Sequence, residues 1–89
     1  RVGRNGGEEF LVLLPDTGQE AAAEVAERVR IAVSRLVIEG VPEDHPIHVS
    51  IGCAEYKAED DNLGELIRRA DEAMYAAKLA GRNRVVKAA

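Results

Sequence analysis

The order of the periodic segments constrains the fold of this chain more than any other feature of its sequence. Apolar residues recur at helical spacing in two stretches, and strand-like runs precede and follow each of them. The two apolar stripes consist of residues 22, 25, 26, 29, 32, 33, 36 and 37 and of residues 63, 66, 67, 70, 73, 74 and 77. Helices that alternate with strands pack their apolar faces on a sheet. The sequence therefore predicts an α+β fold in the order (β)βαβαβ.

Turn residues and apolar runs indicate where the strands lie. The turn signal NGG separates residues 1–5 from the apolar run EFLVLLP at 9–15, which predicts a β-hairpin. Residues 47–56 (IHVSIGCAEY) predict the next strand, in which Gly52 indicates a bulge or the close approach of another backbone. The segment RVVKA at 84–88 predicts a short final strand.

Capping residues indicate where the helices begin and end. Thr17 and Glu20 have the spacing of a capping box at the start of the first helix, and the glycine and proline within 40–42 are expected to end it. Asn62 is the predicted N-cap of the second helix. Gly81 has the place of the glycine that commonly follows a helix.

The composition of the chain argues against several classes of protein. A net charge of −4 and a pI of about 5.1 argue against a nucleic-acid-binding face, but they allow a phosphate ligand that is bound through a metal. No apolar run reaches the roughly 18–20 residues of a membrane span, so no membrane contact is expected from this segment. The single cysteine, Cys53, cannot form an internal disulfide, which favours a reducing, cytoplasmic location. The absence of an initiator Met predicts that the 89 residues belong to a longer protein, which another domain could anchor to a membrane.

A glycine pair is followed by an acidic pair near the start of the sequence, in RNGGEEFLVLLP. Glu8 and Glu9 repel each other unless a cation lies nearby, and Mg²⁺ prefers such oxygen ligands together with substrate phosphates. Gly6 and Gly7 have no Cβ, so phosphates can approach their backbone closely. Side chains of adjacent strand residues point to opposite faces, so only one of the two carboxylates would normally face a ligand. From these residues alone, a solvated acidic turn remains the alternative to a site for Mg²⁺ and phosphate.

A second cluster of candidate residues lies near the end of the chain, in ADEAMYAAKLAGRNRVV. Lys78 and Arg82 are four residues apart, which predicts that they share one face of a helix, whereas Arg84 is expected to face elsewhere. A lysine and an arginine in this arrangement can bind phosphate. Cations at the end of a helix also compensate its dipole, and this alternative stays open.

Other polar residues carry weaker signals. His45 and His48 lie at a loop-to-strand junction, where a shared metal is not expected. Asp60 and Asp61 are expected to be loop and cap residues. Cys53 is expected to be a packed thiol of its strand.

The motifs, taken in order, resemble those of a known family. A Gly-Gly-Glu-Glu-Phe hairpin, an SIG strand and the pattern AD-AMY-AK--GRN-V follow one another along the chain. Over essentially its whole length the chain is similar to the GGDEF domain of diguanylate cyclases, in its Gly-Gly-Glu-Glu-Phe form.

This resemblance implies a fold, an activity and partners. The fold is the ferredoxin-like palm of nucleotidyl cyclases, with an antiparallel-containing sheet and two helices packed on it. The activity is the condensation of two GTP to cyclic di-GMP with release of pyrophosphate, by two domains of a homodimer that each hold one GTP. Mg²⁺ or Mn²⁺ is the implied cofactor.

Individual residues match functional positions of the family. Glu8 matches a Mg²⁺ ligand that is also assigned as the general base for the 3′-hydroxyl, and Glu9 matches a residue of the metal site or its support. Arg28 matches an arginine that helps to bind inhibitory cyclic di-GMP, with a solvated helix position as the alternative. The residues that match nucleotide contacts are Gly6, Gly7, Lys78 and Arg82.

The sequence departs from the family pattern mainly in its extent. The resemblance implies that residues 1–89 are the C-terminal half of one domain. The expected N-terminal half would carry a metal-binding Asp, the residues that read guanine, and the Arg-x-x-Asp motif of product inhibition. Asn5 stands where the family usually has Tyr or Phe, which puts the packing beneath the hairpin in question.

Two functional hypotheses and one structural hypothesis follow. The first is that the parent protein is an active diguanylate cyclase and that this chain alone is inactive. The alternative is a non-catalytic GGDEF-like module that senses nucleotide or dimerises. Since the implied central strand lies upstream, the hairpin and the strand at 47–56 are expected either to pair directly or to accept a strand from another chain.

Overall fold

The structure, a computed structural model, describes most of the chain as two helices and four short strands. The described residues are 2–4, 10–12, 14, 16–42, 47–58, 60 and 62–89. The elements in chain order are β1 (Val2–Arg4), β2 (Phe10–Val12), α1 (Gln19–Ser34), β3 (Ile51–Cys53), α2 (Leu63–Leu79) and β4 (Val85–Lys87). The α+β class predicted from the sequence is confirmed. Within the described ranges no helix is both long and apolar enough to cross a bilayer.

Strands β1 and β2 form an antiparallel ladder at the start of the chain. Val2 is opposite Val12, and Arg4 is opposite Phe10. This is the strand pairing of the predicted hairpin. The turn between the strands, with the Gly-Gly-Glu-Glu motif at 6–9, lies outside the described residues.

The sheet on which the helices pack is parallel in the described residues, so the expected antiparallel-containing sheet is not confirmed. Ile51 of β3 pairs with Val85 of β4, and Cys53 pairs with Lys87, both in parallel register. The connection between these strands runs through α2, and a helical crossover returns the chain in its original direction. Both helices contact both strands but not each other, so the strand pair lies between α1 and α2.

The two ladders are separate in the described part of the chain. There, β2 pairs only with β1, and β3 pairs only with β4. The expectation that the hairpin and the strand at 47–56 pair directly is therefore wrong for these residues. The other expectation, a strand supplied by another chain, stays a prediction.

At Gly52, the backbone of α2 packs directly on β3. A Cβ at this residue would overlap the carbonyl oxygen of Ala70 and the amide nitrogen of Met74. The close backbone approach predicted from the sequence is confirmed. Among the described residues, the buried apolar side chains are small, which allows short distances between elements; they are Ala26, Cys53, Ala73 and Ala77.

Helix α1 ends earlier than its apolar stripe predicts. The helix stops at Ser34, whose hydroxyl donates to the carbonyl oxygen of Ile31 at 2.7 Å. Such a bond from a serine to the preceding turn competes with continued helix. Leu36 and Val37, the last residues of the predicted stripe, are 56% and 84% exposed. The last two residues of the predicted stripe therefore lie beyond the helix and are not part of the core.

The N-terminus of α1 is capped by a residue distant in sequence, and not by the capping box predicted for Thr17 and Glu20. The N-cap residue is Gly18, which has no side chain to accept a hydrogen bond. Instead the N–H of Gln19 donates to Oε1 of Glu55 at 2.9 Å. A carboxylate beyond the end of β3 thus satisfies the first turn of α1 and complements its dipole.

The predicted caps of α2 are confirmed. The side chain of Asn62 accepts a hydrogen bond from the N–H of Glu65 at 3.1 Å. The helix ends at its C-cap Ala80, and Gly81 follows with a φ of 124°. Both residues act through local backbone chemistry, which is why the sequence identifies them.

Replacing Gly52 with alanine is expected to destabilise the protein by more than about 3 kcal/mol, because the methyl group would meet backbone rather than a movable side chain. Urea unfolding measures the change. Gly40→Ala is the control, since Gly40 has a φ of 88° and open space around it; backbone strain alone costs about 1 kcal/mol there. Equal losses for the two variants would contradict the close approach of α2.

Glu55→Ala is expected to lower the free energy of unfolding by about 1 kcal/mol, the usual cost of losing an N-cap acceptor. Glu55→Gln keeps an acceptor oxygen and should recover part of the loss. Glu24→Ala, which removes an exposed carboxylate of α1, serves as the control. Urea unfolding of the three variants tests the cap, and an unaltered Glu55→Ala protein would refute it.

Candidate functional site

The turn between α2 and β4 has an unusual backbone. Gly81, Arg82 and Asn83 all have positive φ, at 124°, 64° and 46°. Only glycine adopts this region without cost, although asparagine tolerates it better than most residues. Two consecutive non-glycine residues in this conformation persist only where surrounding contacts hold them. We call residues 80–84 the AGRNR turn.

Hydrogen bonds at both ends hold the AGRNR turn. The N–H of Arg82 donates to the carbonyl oxygen of Ala77 at 2.9 Å, which closes the end of α2. The N–H of Ile51 donates to the carbonyl oxygen of Arg84 at 3.0 Å, which begins the pairing of β3 with β4. The turn therefore has a defined position between the helix and the sheet.

Lys78 and Arg82 both lie at this end of α2, but they do not share a helix face. Lys78 is in the last turn of the helix and is half-buried, whereas Arg82 lies beyond the C-cap Ala80 and is exposed. The prediction that Lys78 and Arg82 share one face of a helix is therefore wrong. The left-handed turn, rather than helical periodicity, directs the backbone at Arg82.

Arg84 lies back over the same turn instead of facing elsewhere. Its Nε donates to the carbonyl oxygen of Arg82 at 3.0 Å. A Cβ placed on Gly81 would lie only 2.8 Å from Nη2 of Arg84, so this guanidinium group lies close to the backbone of the turn. The turn thus carries the guanidinium group of Arg84 as well as that of Arg82. Compensation of the α2 dipole by Lys78 fits the same geometry.

Helix α1 contributes a residue that the sequence analysis missed. Arg30 donates through Nη1 to Oδ1 of Asn83 at 3.0 Å, and through Nε to Oε2 of Glu27 at 2.9 Å. Its hydrogen bond to Glu27 lowers the pKa of that carboxyl and raises the pKa of the guanidinium. Two sequence signals bear on these contacts. The i, i+3 spacing indicates that Arg30 pairs with Glu27, and the tolerance of asparagine for positive φ indicates a turn at Asn83.

Arg28 is exposed on α1 and belongs to a different side of the helix from Arg30. Two residues along a helix correspond to a rotation of about 200°. The structure therefore does not bring Arg28 to the AGRNR turn.

The Gly-Gly-Glu-Glu motif is not among the described residues. Gly6, Gly7, Glu8 and Glu9 lie outside the described residues, as does Asn5. Within the described ranges, no group of three or more His, Cys, Asp or Glu side chains could hold a metal ion.

Cys53 is buried in β3, and burial raises the pKa of its thiol. The thiol is therefore protonated and unreactive at neutral pH, as expected of a packed strand residue. His48 is exposed, and His45 and Asp61 lie outside the described residues.

Asp60 has a larger structural role than the loop or cap position predicted for it. Its carboxylate accepts from the Lys57 N–H at 2.8 Å and from Nη1 of Arg69 at 3.1 Å. The two side chains are only 5% and 14% exposed, so this is a buried ion pair. Nη1 of Arg69 also donates to the carbonyl oxygen of Glu55 at 2.8 Å, which ties α2 to the chain beyond β3.

A cavity of about 310 Å³ lies between α2 and β4, away from the candidate cations. Its lining includes Arg69, Ala73 and Val86 but neither Lys78 nor Arg82. The candidate phosphate-binding residues are thus on the surface at the end of α2.

Arg69→Met is expected to destabilise the protein by about 3–5 kcal/mol, because it leaves the carboxylate of Asp60 buried without its partner. Arg68→Met is the matched control. Arg68 is 55% exposed and pairs with Glu65 and Glu72 on the surface, so its loss should cost less than about 1 kcal/mol. Urea unfolding of both variants tests the difference, and equal costs would contradict a buried pair.

Comparison with known proteins gives a consistent family relationship. Residues 1–84 match the profile of the family described as "Diguanylate cyclase, GGDEF domain". The chain is 44% identical over 87 residues to diguanylate cyclase DgcM of Escherichia coli K12, covering 98% of this chain and 20% of that protein. It is 42% identical over 85 residues to the response regulator PleD of Caulobacter vibrioides, covering 93% of this chain and 19% of that protein.

Solved structures give the same result for the fold. The active GGEEF domain of a diguanylate cyclase from Vibrio cholerae superposes with a TM-score of 0.90 at 32% identity, covering 99% of this chain and 55% of that one. The coiled coil and GGDEF domain of DgcB from Caulobacter crescentus, in complex with c-di-GMP, gives a TM-score of 0.86 at 33% identity, covering 98% and 47%. The chain spans about a fifth of these two curated relatives and about half of these two solved chains.

Proposed function

This chain belongs to the GGDEF family of diguanylate cyclase domains, and we propose that it forms part of a site that condenses two GTP to cyclic di-GMP with release of pyrophosphate. The observation that carries this proposal is the AGRNR turn, which places Arg82 next to the end of the helix that bears Lys78. Curated relatives named as diguanylate cyclases support the activity.

Lys78 and Arg82 are the proposed contacts for the triphosphate. Lysine acts as a point charge, whereas the planar guanidinium of arginine can donate two parallel hydrogen bonds to phosphate oxygens. Phosphoryl transfer depends mainly on positioning and on neutralising charge, and two cations at the end of α2 supply part of both. The strained turn supports this role because strain of this kind collects at ligand sites.

Glu8 and Glu9 are the proposed ligands of Mg²⁺ or Mn²⁺, and Gly6 and Gly7 are the proposed backbone contacts of the nucleotide. Adjacent carboxylates are the donor type that these hard cations prefer, so the residues fit the group. When bound, such a cation neutralises developing charge on the phosphate oxygens. The negative net charge of the chain does not oppose a phosphate ligand that is bound in this way.

Glu8 is also the proposed general base. It would accept the proton of one GTP 3′-hydroxyl as that oxygen bonds to the α-phosphorus of the other GTP and pyrophosphate leaves. Two such transfers close the ring of cyclic di-GMP. Because each transfer needs a second GTP, we propose that two domains of a homodimer face each other, each with the palm fold of nucleotidyl cyclases.

Several further proposals concern the extent of the chain. Because the solved relatives that it matches are about twice as long, we propose that these 89 residues are the C-terminal half of the domain and do not form product alone. Arg28, exposed on α1, is the proposed contact for inhibitory cyclic di-GMP. The complex of DgcB with c-di-GMP supports recognition of this ligand by domains of this fold. We propose a cytoplasmic location for the domain, where GTP is available.

In the full-length protein that carries this chain, Glu8→Gln is expected to abolish formation of cyclic di-GMP, since an amide neither accepts the proton nor supplies the carboxylate charge. Arg82→Ala should raise KM for GTP by about 10-fold or more, through loss of a charge-assisted contact to phosphate. Chromatographic quantification of cyclic di-GMP from GTP and Mg²⁺ measures both.

Glu24→Gln is the matched control for Glu8→Gln, because Glu24 is an exposed carboxylate of α1. It should leave turnover unchanged. Full turnover by Glu8→Gln would remove Glu8 from its proposed role. A wild-type protein that binds GTP but forms no product would favour the alternative of a nucleotide-sensing or dimerisation module.

A further inference from the structure

Arg30 links the middle of α1 to the AGRNR turn. Its Nη1 donates to Oδ1 of Asn83 at 3.0 Å, across a sequence separation of 53 residues. The side chain is only 21% exposed, so the link is partly shielded from water. Asn83 is the residue directly after Arg82 and shares its left-handed backbone. A contact to Asn83 therefore acts on the peptide that joins these two residues.

Glu27 fixes the direction of the Arg30 side chain. Its two carboxylate oxygens accept from Nε and Nη2 of Arg30, which leaves Nη1 directed at Asn83. The guanidinium is planar, so two bonds to one carboxylate determine the orientation of the third nitrogen. Lysine could not reproduce this arrangement, because its ammonium group is a single point donor.

Contacts in its first turn also join α1 to the end of β4. The side chain of Gln19 donates to the carbonyl oxygen of Ala88 at 2.8 Å, and Lys87 pairs with Glu20 at 2.7 Å. The first turn of α1 thus lies at the end of β4, while Arg30 reaches the turn before β4. Because these contacts already fix the position of α1 relative to β4, the hydrogen bond from Arg30 to Asn83 can restrain the AGRNR turn.

We propose that Arg30 is a positioning residue for phosphate binding by Arg82. Through Asn83 it holds the AGRNR turn in the left-handed conformation from which the exposed Arg82 side chain meets a triphosphate. Without this contact, the strained backbone at Arg82 and Asn83 relaxes, and the guanidinium of Arg82 must be ordered at the moment of binding. This inference rests on the proposed function for the identity of the ligand, but not for the link between Arg30 and the turn.

The first test compares the kinetics of Arg30→Lys and Arg68→Lys in the full-length protein. Both variants keep the positive charge but replace the guanidinium of an i, i+3 pair with glutamate by a single ammonium donor, and Arg68 is the control because it lies on the exposed face of α2. Arg30→Lys is expected to raise KM for GTP by about 10-fold with little change in kcat, because an ordered contact to the triphosphate is lost in ground and transition states alike. Arg68→Lys should change neither. Equal KM values for Arg30→Lys and wild type would overturn the proposal.

A double-mutant cycle separates positioning from a general structural role. If Arg30 acts through Arg82, Arg30→Lys should have no further effect on KM in an Arg82→Ala background. A structural role predicts instead that the two effects multiply and that Arg30→Lys lowers kcat. Effects on KM that multiply in the double variant would overturn the inference.

Amide hydrogen exchange of residues 81–84 tests the link without turnover. Exchange should be faster in Arg30→Lys than in wild type or Arg68→Lys, and Asn83→Asp, which keeps an acceptor for Arg30 and tolerates positive φ, should exchange as slowly as wild type. Unchanged exchange in Arg30→Lys would overturn the inference. If the wild type forms no cyclic di-GMP, the proposed function fails, and the exchange rates alone decide whether Arg30 holds the turn.

Discussion

The direct contact between the backbone of α2 and Gly52 of β3 fixes the distance between these two elements, and the positions of the AGRNR turn and β4 depend on it. No side chain separates the two elements at this point, so their spacing is fixed by backbone atoms alone. The contact involves residues 70–74, and the helix then runs only a little further before it ends at Ala80. The AGRNR turn and the start of β4 therefore have a defined position relative to β3.

The composition of the core follows from this close packing. In the described part of the chain, the buried apolar residues are alanines and one cysteine, and aromatic residues are only 3% of the sequence. A core of small side chains buries little apolar area. Polar links at the edges then carry more of the specificity of the fold, and the Asp60–Arg69 pair and the Glu55 cap both lie at the end of β3. Through Glu55, the cap joins α1 to the segment that follows β3, and Arg69 of the ion pair joins α2 to the same segment.

The features that the sequence predicted are those that depend on local chemistry. Gly52, Asn62 and Gly81 were identified because a missing Cβ, a capping side chain and a positive φ each have a residue preference that is visible in the sequence. The end of α1 was predicted too late, because apolar spacing continues to Val37 although nothing in the described structure buries that residue.

The features that the sequence did not predict depend on distant partners. Glu55 caps α1 from 36 residues away, and Arg30 reaches Asn83 across 53. The i, i+3 spacing of Glu27 and Arg30 is visible in the sequence, but no local pattern indicates that Glu55 faces the start of α1 or that Arg30 faces Asn83. For the candidate site, the motifs identified Lys78 and Arg82, but their relation through a left-handed turn is a property of the fold. A helical spacing of four residues gave the wrong geometry because Arg82 lies after the helix has ended.

The links between α1 and the last strand have a consequence for the order in which the chain folds. They span separations of 53, 67 and 69 residues, which is most of the sequence. Loop closure of this length is slow compared with the local pairing of α2 and its neighbouring strands. During synthesis, the residues of α1 are translated before their partners in the AGRNR turn and at the end of β4, which follow 53 to 69 residues later. The hydrogen bonds from α1 to the AGRNR turn and to the end of β4 therefore form only after residues 83–88 have left the ribosome.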